Sequence, residues 1–282
     1  MIPVVVNVEW LADHPDAVLA DVRWYLNGRS GMDAYANGHL PGAVWVDMNT
    51  TLAGPPSPGA GRHPLPTPEA FAEGLRDAGV DDDSIVVAYD DAGGAQAARL
   101  VWLLRMVGHP AAVLDGGLQA YDGELELGSG RPARGSFTRK PWVPADLATI
   151  DDAGTHDLVV DARAAERYRG EVEPVDPRAG HIPGAVSVPF GGSLDAEGRF
   201  LDADELREHF AARGITDASA VVAYCGSGIT ACHLLVAMEH AGLGRGRLYP
   251  GSWSQYAATE RPAATGAQPG SRPMIDPHGR MH

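Results

Sequence analysis

Hydrophobic positions along the chain fall into two kinds of run. Short continuous blocks, such as Val86-Val87-Ala88-Tyr89 and Val221-Val222-Ala223-Tyr224, are bounded by turn residues and read as buried strands. Further strands are expected at the N-terminus over 4–6, at 19–21 and 159–161, and at 44–46, 112–114, 186–188 and 247–249. Between them, longer stretches carry apolar residues at helical spacing and predict helices over 68–78, 97–107, 204–213 and 230–240. Short strands alternating with helices give an α/β fold with mostly parallel sheets flanked by helices. In open sheets of this kind, ligands bind beyond the carboxyl ends of the strands.

The pattern occurs twice. Gly38-His39-Leu40-Pro41-Gly42-Ala43-Val44 returns as Gly180-His181-Ile182-Pro183-Gly184-Ala185-Val186. Leu19-Ala20-Asp21-Val22-Arg23 returns as Val159-Val160-Asp161-Ala162-Arg163, and the strand ending at Asp90 returns as the strand ending at Cys225. Three matches in register make the chain two diverged copies of one unit of ordinary domain size. The boundaries read as 1–122 for the first unit, 123–144 for a Gly-, Pro- and charge-rich connector, and 145–282 for the second. Residues 52–68 are too rich in proline and glycine for a helix and form an ordered loop or lid. Residues 261–282 are expected to wrap around the second unit or fray.

The copies differ where chemistry would sit, with Asp90 in the first and Cys225 in the second. In Cys225-Gly226-Ser227-Gly228-Ile229-Thr230, the glycines let successive N–H groups face one concavity, and the following helix adds positive potential at its N-terminus. Such surroundings favour a thiolate. A strand-end cysteine can also be a small core residue, but that role has no use for a glycine-rich loop behind it. Cys232, seven residues on and among apolar neighbours, reads as structural. His39 and His181 are expected to stabilise their turns, and Asp161 with Arg163 to form a structural pair.

Composition narrows the partners. The 282 residues include 22 Lys and Arg against 37 Asp and Glu, a formal charge of −15, which repels nucleic acid and anionic membrane surfaces. An anionic substrate therefore needs a local cation in its pocket. Two cysteines make no disulfide framework, no zinc-ligand spacing is present, and neither metal nor cofactor is called for. The N-terminus lacks a basic signal region and no apolar run approaches a membrane span, so the reducing cytoplasm is the expected compartment.

The cysteine loop, the doubled Gly-His-x-Pro-Gly-Ala turn and Asp161-Ala162-Arg163 together resemble the two-domain rhodanese-type sulfurtransferases, and specifically the 3-mercaptopyruvate group. The resemblance covers roughly residues 1–260. It implies two tandem rhodanese-like domains, the first an inactive copy, and a site at their interface. It also implies transfer of a sulfane sulfur through a persulfide on Cys225, from a small-molecule donor to a thiol such as thioredoxin or a low-molecular-weight thiol, or to cyanide. Loop residues Gly226, Gly228, Ile229 and Thr230 would surround the transferred sulfur. Thiosulfate-specific members carry basic residues after the cysteine; Gly226 and Ser227 are neutral here, which favours mercaptopyruvate, with thiosulfate as the alternative donor. Arg167 matches the family's carboxylate-binding arginine. The stretch after it is two residues shorter than in the family, leaving Arg178 as the candidate for a second. The family's proton relay would map to Asp47, His63 and Ser227, with Asp47 orienting His63. Arg169 and Arg178 also suit ion pairs between the domains. A phosphatase of related fold needs an arginine six residues after the cysteine, where this chain has Ala231. A non-catalytic binding module would have lost the cysteine altogether.

Overall fold

The structure, a computed structural model, describes residues 2–272. The first half runs β1 (Val5–Val6), α1 (Val8–Ala12), β2 (Val18–Asp21), α2 (Gly31–Ala36), β3 (Val44–Trp45), α3 (Pro68–Asp77), β4 (Val86–Tyr89), α4 (Ala97–Met106) and β5 (Ala111–Leu114). The second runs α5 (Ile150–Thr155), β6 (Leu158–Asp161), α6 (Ala165–Arg169), β7 (Val186–Ser187), α7 (Ala203–Ala211), β8 (Val221–Tyr224), α8 (Thr230–His240), β9 (Arg247–Leu248) and α9 (Ser252–Tyr256). Each half builds its own sheet, in the orders β1-β5-β4-β2-β3 and β7-β6-β8-β9, and every pairing is parallel. This is the α/β arrangement of two parallel sheets expected from the apolar blocks.

Local chemistry explains the helix ends. Thr67 Oγ1 accepts from Ala70 N with Pro68 in the first turn of α3, and Asp202 with Glu205 forms a reciprocal cap on α7. Helices α4 and α8 follow the strands β4 and β8, and nearly all their residues are buried because the two helices pack against each other. Side chains from both halves, including Leu100, Leu104, Leu234 and Met238, join one continuous core. The Asp90 and Cys225 loops, one at the carboxyl end of each strand, therefore face the seam between the halves.

The connector contributes to that core instead of lying free. Phe137 is buried against Phe71, and Trp142 Nε1 donates to Pro66 O at 2.9 Å. The stretch after 261 wraps as far as it is described: His181 pairs with Ala264, and Gly266 N donates to Arg169 O at 2.9 Å. The remainder of that segment lies outside the described residues.

Candidate active site

Cys225 sits at the end of β8 with 2% of its surface exposed. Gly228 N donates to its Sγ at 3.1 Å, and Ser252 Oγ accepts from its backbone N at 3.2 Å. Gly228 is needed in its left-handed conformation (φ +79°), since a Cβ there would stand 2.7 Å from Pro250 O. Ser252 holds a left-handed φ of 52°, the non-glycine exception among the described residues, and its repeat counterpart is Gly117 at φ 56°. Backbone strain thus accompanies the hydroxyl that braces the cysteine.

The first copy shows what such a loop is built to hold. Asp90 is fully buried, and its carboxylate accepts from the amides of Ala92 (2.8 Å), Gly94 (2.9 Å), Gln96 (2.7 Å) and Ala97 (2.8 Å). Four N–H groups and the start of α4 converge on one carboxyl group, favouring its charged form against burial, which pushes its pKa up. In the second copy α8 has no side-chain cap, and the amides of Gly226, Ser227 and Ile229 donate to no protein acceptor among the described residues. The equivalent cradle therefore opens onto the cysteine sulfur.

The proline-rich loop of the first half delivers His63 to this place. Its Nδ1 lies 2.8 Å from Ser227 Oγ, and the ring stands edge-on to Trp24. Burial, reinforced by the Arg99 and Arg62 charges, pushes the imidazole down to about 4, so it is neutral at ordinary pH. Arg99 reaches from α4 with its guanidinium fully buried, donating to Gly228 O (2.9 Å), His63 O (3.1 Å) and Leu52 O (3.3 Å). One cation thereby fixes the cysteine loop and the histidine loop relative to each other. The charge costs least if an anion forms nearby. Cys232 is the inert partner: burial pushes its thiol up to about 11 and it donates to Gly228 O.

A family model described as the rhodanese-like domain matches the chain twice, over residues 7–124 and 143–259. The chain belongs to the rhodanese-like family. A probable 3-mercaptopyruvate sulfurtransferase of Pseudomonas aeruginosa is 43% identical over 270 residues, covering 89% of this chain and 93% of the relative. A putative thiosulfate sulfurtransferase of Mycobacterium tuberculosis is 39% identical, covering 90% and 93%. Among solved structures, 3-mercaptopyruvate sulfurtransferase from Leishmania major superposes with a TM-score of 0.82 at 32% identity, covering 92% of this chain and 75% of that one. The Escherichia coli 3-mercaptopyruvate enzyme does so at 0.77 and 34%, covering 89% and 99%. This rhodanese-like chain is accordingly a sulfurtransferase.

Of the residues expected at the rhodanese-like site, Cys225, Gly226, Ser227, Gly228, His63 and Arg167 converge. Arg167, on α6, comes up to Gly226, while its Nη2 donates to Glu173 (2.7 Å) and Asp176 (3.2 Å). Ile229 is buried in the shared core and Thr230 opens α8, so both support the loop from behind. Two expectations change. Arg178 turns away from the cysteine, donating to Arg261 O at 2.7 Å and Tyr256 O at 3.3 Å beside Trp253; it ties the C-terminal segment down. Asp47 makes no hydrogen bond to His63. Its carboxylate accepts from Asn49 N (2.9 Å) and Thr50 Oγ1 (3.1 Å), closing its own turn. Arg169 pairs with Glu171 on the surface, within its own half.

The repeated histidines do hold turns: His39 stacks on Tyr35 and His181 on Tyr168, each with Nδ1 against that tyrosine's carbonyl (2.9 and 2.8 Å). Arg23 and Arg163 form matching buried pairs with Asp21 and Asp161. Sequence reasoning passed over Arg62 and Arg99. Arg99 left a signal, a cation inside the otherwise apolar Ala97-Ala98-Arg99-Leu100-Val101-Trp102.

Proposed function

We propose that the protein moves the sulfur of 3-mercaptopyruvate to a thiol or cyanide acceptor through a persulfide on Cys225. The observation that carries this reading is the anion cradle: the fold that holds a carboxylate with four amides in the first copy presents the same loop to a cysteine in the second.

The thiolate attacks the donor sulfur, forming the S–S bond as the C–S bond breaks, and the electron pair leaves with pyruvate enolate. The enolate takes a proton through Ser227, whose hydroxyl faces neutral His63 at 2.8 Å. Loop amides stabilise charge on the outer sulfur, an oxyanion-hole arrangement applied to sulfur. An acceptor thiolate or cyanide then attacks that sulfur and releases Cys225, which makes the kinetics ping-pong. Relatives named for mercaptopyruvate and for thiosulfate both stand near this chain, so donor preference rests on the neutral Gly226 and Ser227 and on Arg167. The free cysteines support the reducing cytoplasm as the compartment, and a dithiol of the thioredoxin type or a small thiol as acceptor. Among the described residues, no helix is long and apolar enough to cross a membrane.

Mass spectrometry after incubation with 3-mercaptopyruvate should show the gain of one sulfur atom, retained in Cys232→Ser and lost in Cys225→Ser. Sulfur uptake surviving Cys225→Ser would sink the reading. A specificity constant higher for thiosulfate than for mercaptopyruvate would transfer the assignment to the other donor.

A further inference from the structure

One side chain of the first half, closed off from solvent, holds both loops that carry the chemistry. Arg99, on α4, is 0% exposed, and no ion pair among the described residues includes it; its partners are carbonyls, Gly228 O from Nη1, His63 O from Nη2 and Leu52 O from Nε. Gly228 is the residue whose N–H meets the Cys225 sulfur, so the guanidinium grips by its carbonyl the residue that holds the nucleophile by its amide. Leu52 and His63 stand on the two limbs of the proline-rich loop, which Gly54 N ties together by donating to Pro64 O at 2.9 Å. The second half answers with a lesser copy of the same contact. His233 has on α8 the place of Arg99 on α4, each five residues after a left-handed glycine, Gly228 (φ +79°) and Gly94 (φ +82°). Its Nε2 donates across the seam to Gly93 O at 3.0 Å, in the loop of Asp90. A neutral imidazole making one bond serves the loop without a cysteine, and a full charge making three serves the loop with one.

From this geometry we infer that Arg99 is a positioning residue for sulfur transfer, which touches neither Cys225 nor a solute and acts by keeping the Gly228 amide and the His63 ring in one fixed relation. The inference deepens the sulfurtransferase reading and rests on it for the roles of Cys225 and His63. A buried guanidinium without a carboxylate is unfavourable, and neutral donors would satisfy the same carbonyls. What the planar fork adds is rigidity between two loops that belong to different halves. Its charge also bears on the relay. The groups facing His63 are Arg99 from α4, Arg62 beside it on its own loop and Ser227 on the cysteine loop, with Trp24 edge-on to the ring. After burial, Arg99 is the larger of the two charges that keep the imidazole neutral.

The test uses the intact enzyme, with His233 as the mirror control. In single-turnover sulfur uptake from 3-mercaptopyruvate, Arg99→Met should slow the step about 100-fold, as a misplacement of about 1 Å can do. The donor concentration giving half the maximal rate should change much less, because no solute reaches the guanidinium. Arg99→Lys keeps the charge without the fork and should recover only part of the rate. The acid limb of uptake should move to higher pH in Arg99→Met and stay in place in Arg99→Lys, and histidine NMR titration reads the same shift in His63 without turnover. His233→Phe removes the mirror bond, so its uptake should stay within about threefold of wild type with the limb unmoved, whatever the change in urea midpoint. Wild-type uptake in either Arg99 variant, an equal slowing in His233→Phe, or an unmoved limb in Arg99→Met would each overturn the inference. Should Arg99→Met not fold, Arg99→Lys against His233→Phe decides. A His63 titration that shifts in Arg99→Met, in a protein that takes no sulfur from mercaptopyruvate, would keep Arg99 in its place and overturn the donor.

Discussion

His63 stays neutral because it is kept dry. Burial between Trp24 and the cysteine loop, with two arginine charges close by, holds the ring neutral down to about pH 4 instead of 6.5. If neutral His63 serves the proton step, the rate of persulfide formation should hold as pH falls to about 5 and drop only below it. Stopped-flow measurement of that step against pH checks this, and an acid limb near 6.5 would contradict it. His63→Gln should slow the step about 100-fold and abolish the limb. Cys225 could be picked out from its own strand and glycine-rich loop, whereas Ser227 and His63 were expected only from the family resemblance, because they meet across 164 residues. Arg62 and Arg178 were less legible, because which way a long side chain turns depends on packing from remote segments. Arg178 lies within reach of the loop in the chain, yet Trp253 and the 256–261 turn claim it. Arg62 stood beside the expected histidine, but only the meeting of the halves reveals its neighbour Gly226.

The two strand–loop–helix units, β4 to α4 and β8 to α8, are one design with different anions. In the first, Asp90 satisfies the loop and helix amides permanently. Asp90→Asn would turn an NH2 group towards donors that need an acceptor, and should cost about 3 kcal/mol of unfolding free energy by urea titration, well above the cost of Cys225→Ser. Equal losses would mean that the carboxylate does not brace the fold. These units were the most legible part of the sequence, because a fully buried parallel strand is continuously apolar and a helix packed on all sides is nearly so. The short helices α2, α6 and α9 escaped notice, being too brief for a period to show. Connector residue Phe137 was equally silent: one aromatic in a polar stretch does not announce that it will be buried.

The shared core makes the two halves one titrating body. His63, His109 and His233 are each held down to about 4, chiefly by burial, whereas unfolded histidine titrates near 6.5. Between these values the unfolded chain binds more protons, so these groups make stability rise with pH and remove it as pH falls from 6.5 towards 4. His209 and His240, also lowered by burial, act in the same sense, while Asp90, Asp115 and Asp176, pushed up by burial, act in the opposite one. The five histidines titrate nearest to neutral pH and set the direction there, so the urea midpoint should fall between about pH 6.5 and about pH 4.5. His233→Phe, which preserves the stack on Phe200, should flatten that slope; an unchanged slope would remove His233 from the account. Sequence showed that there were two copies, and their contact face could be read only from α4 and α8 together.

Ser252 and Ser254 brace Cys225 and Arg62 from near the end of the described chain, after every other part of the site has been made. During synthesis the thiol therefore leaves the ribosome before its surroundings exist. The pocket around Cys225 is complete only once the chain has been made past Ser254 and the two halves have closed on one another.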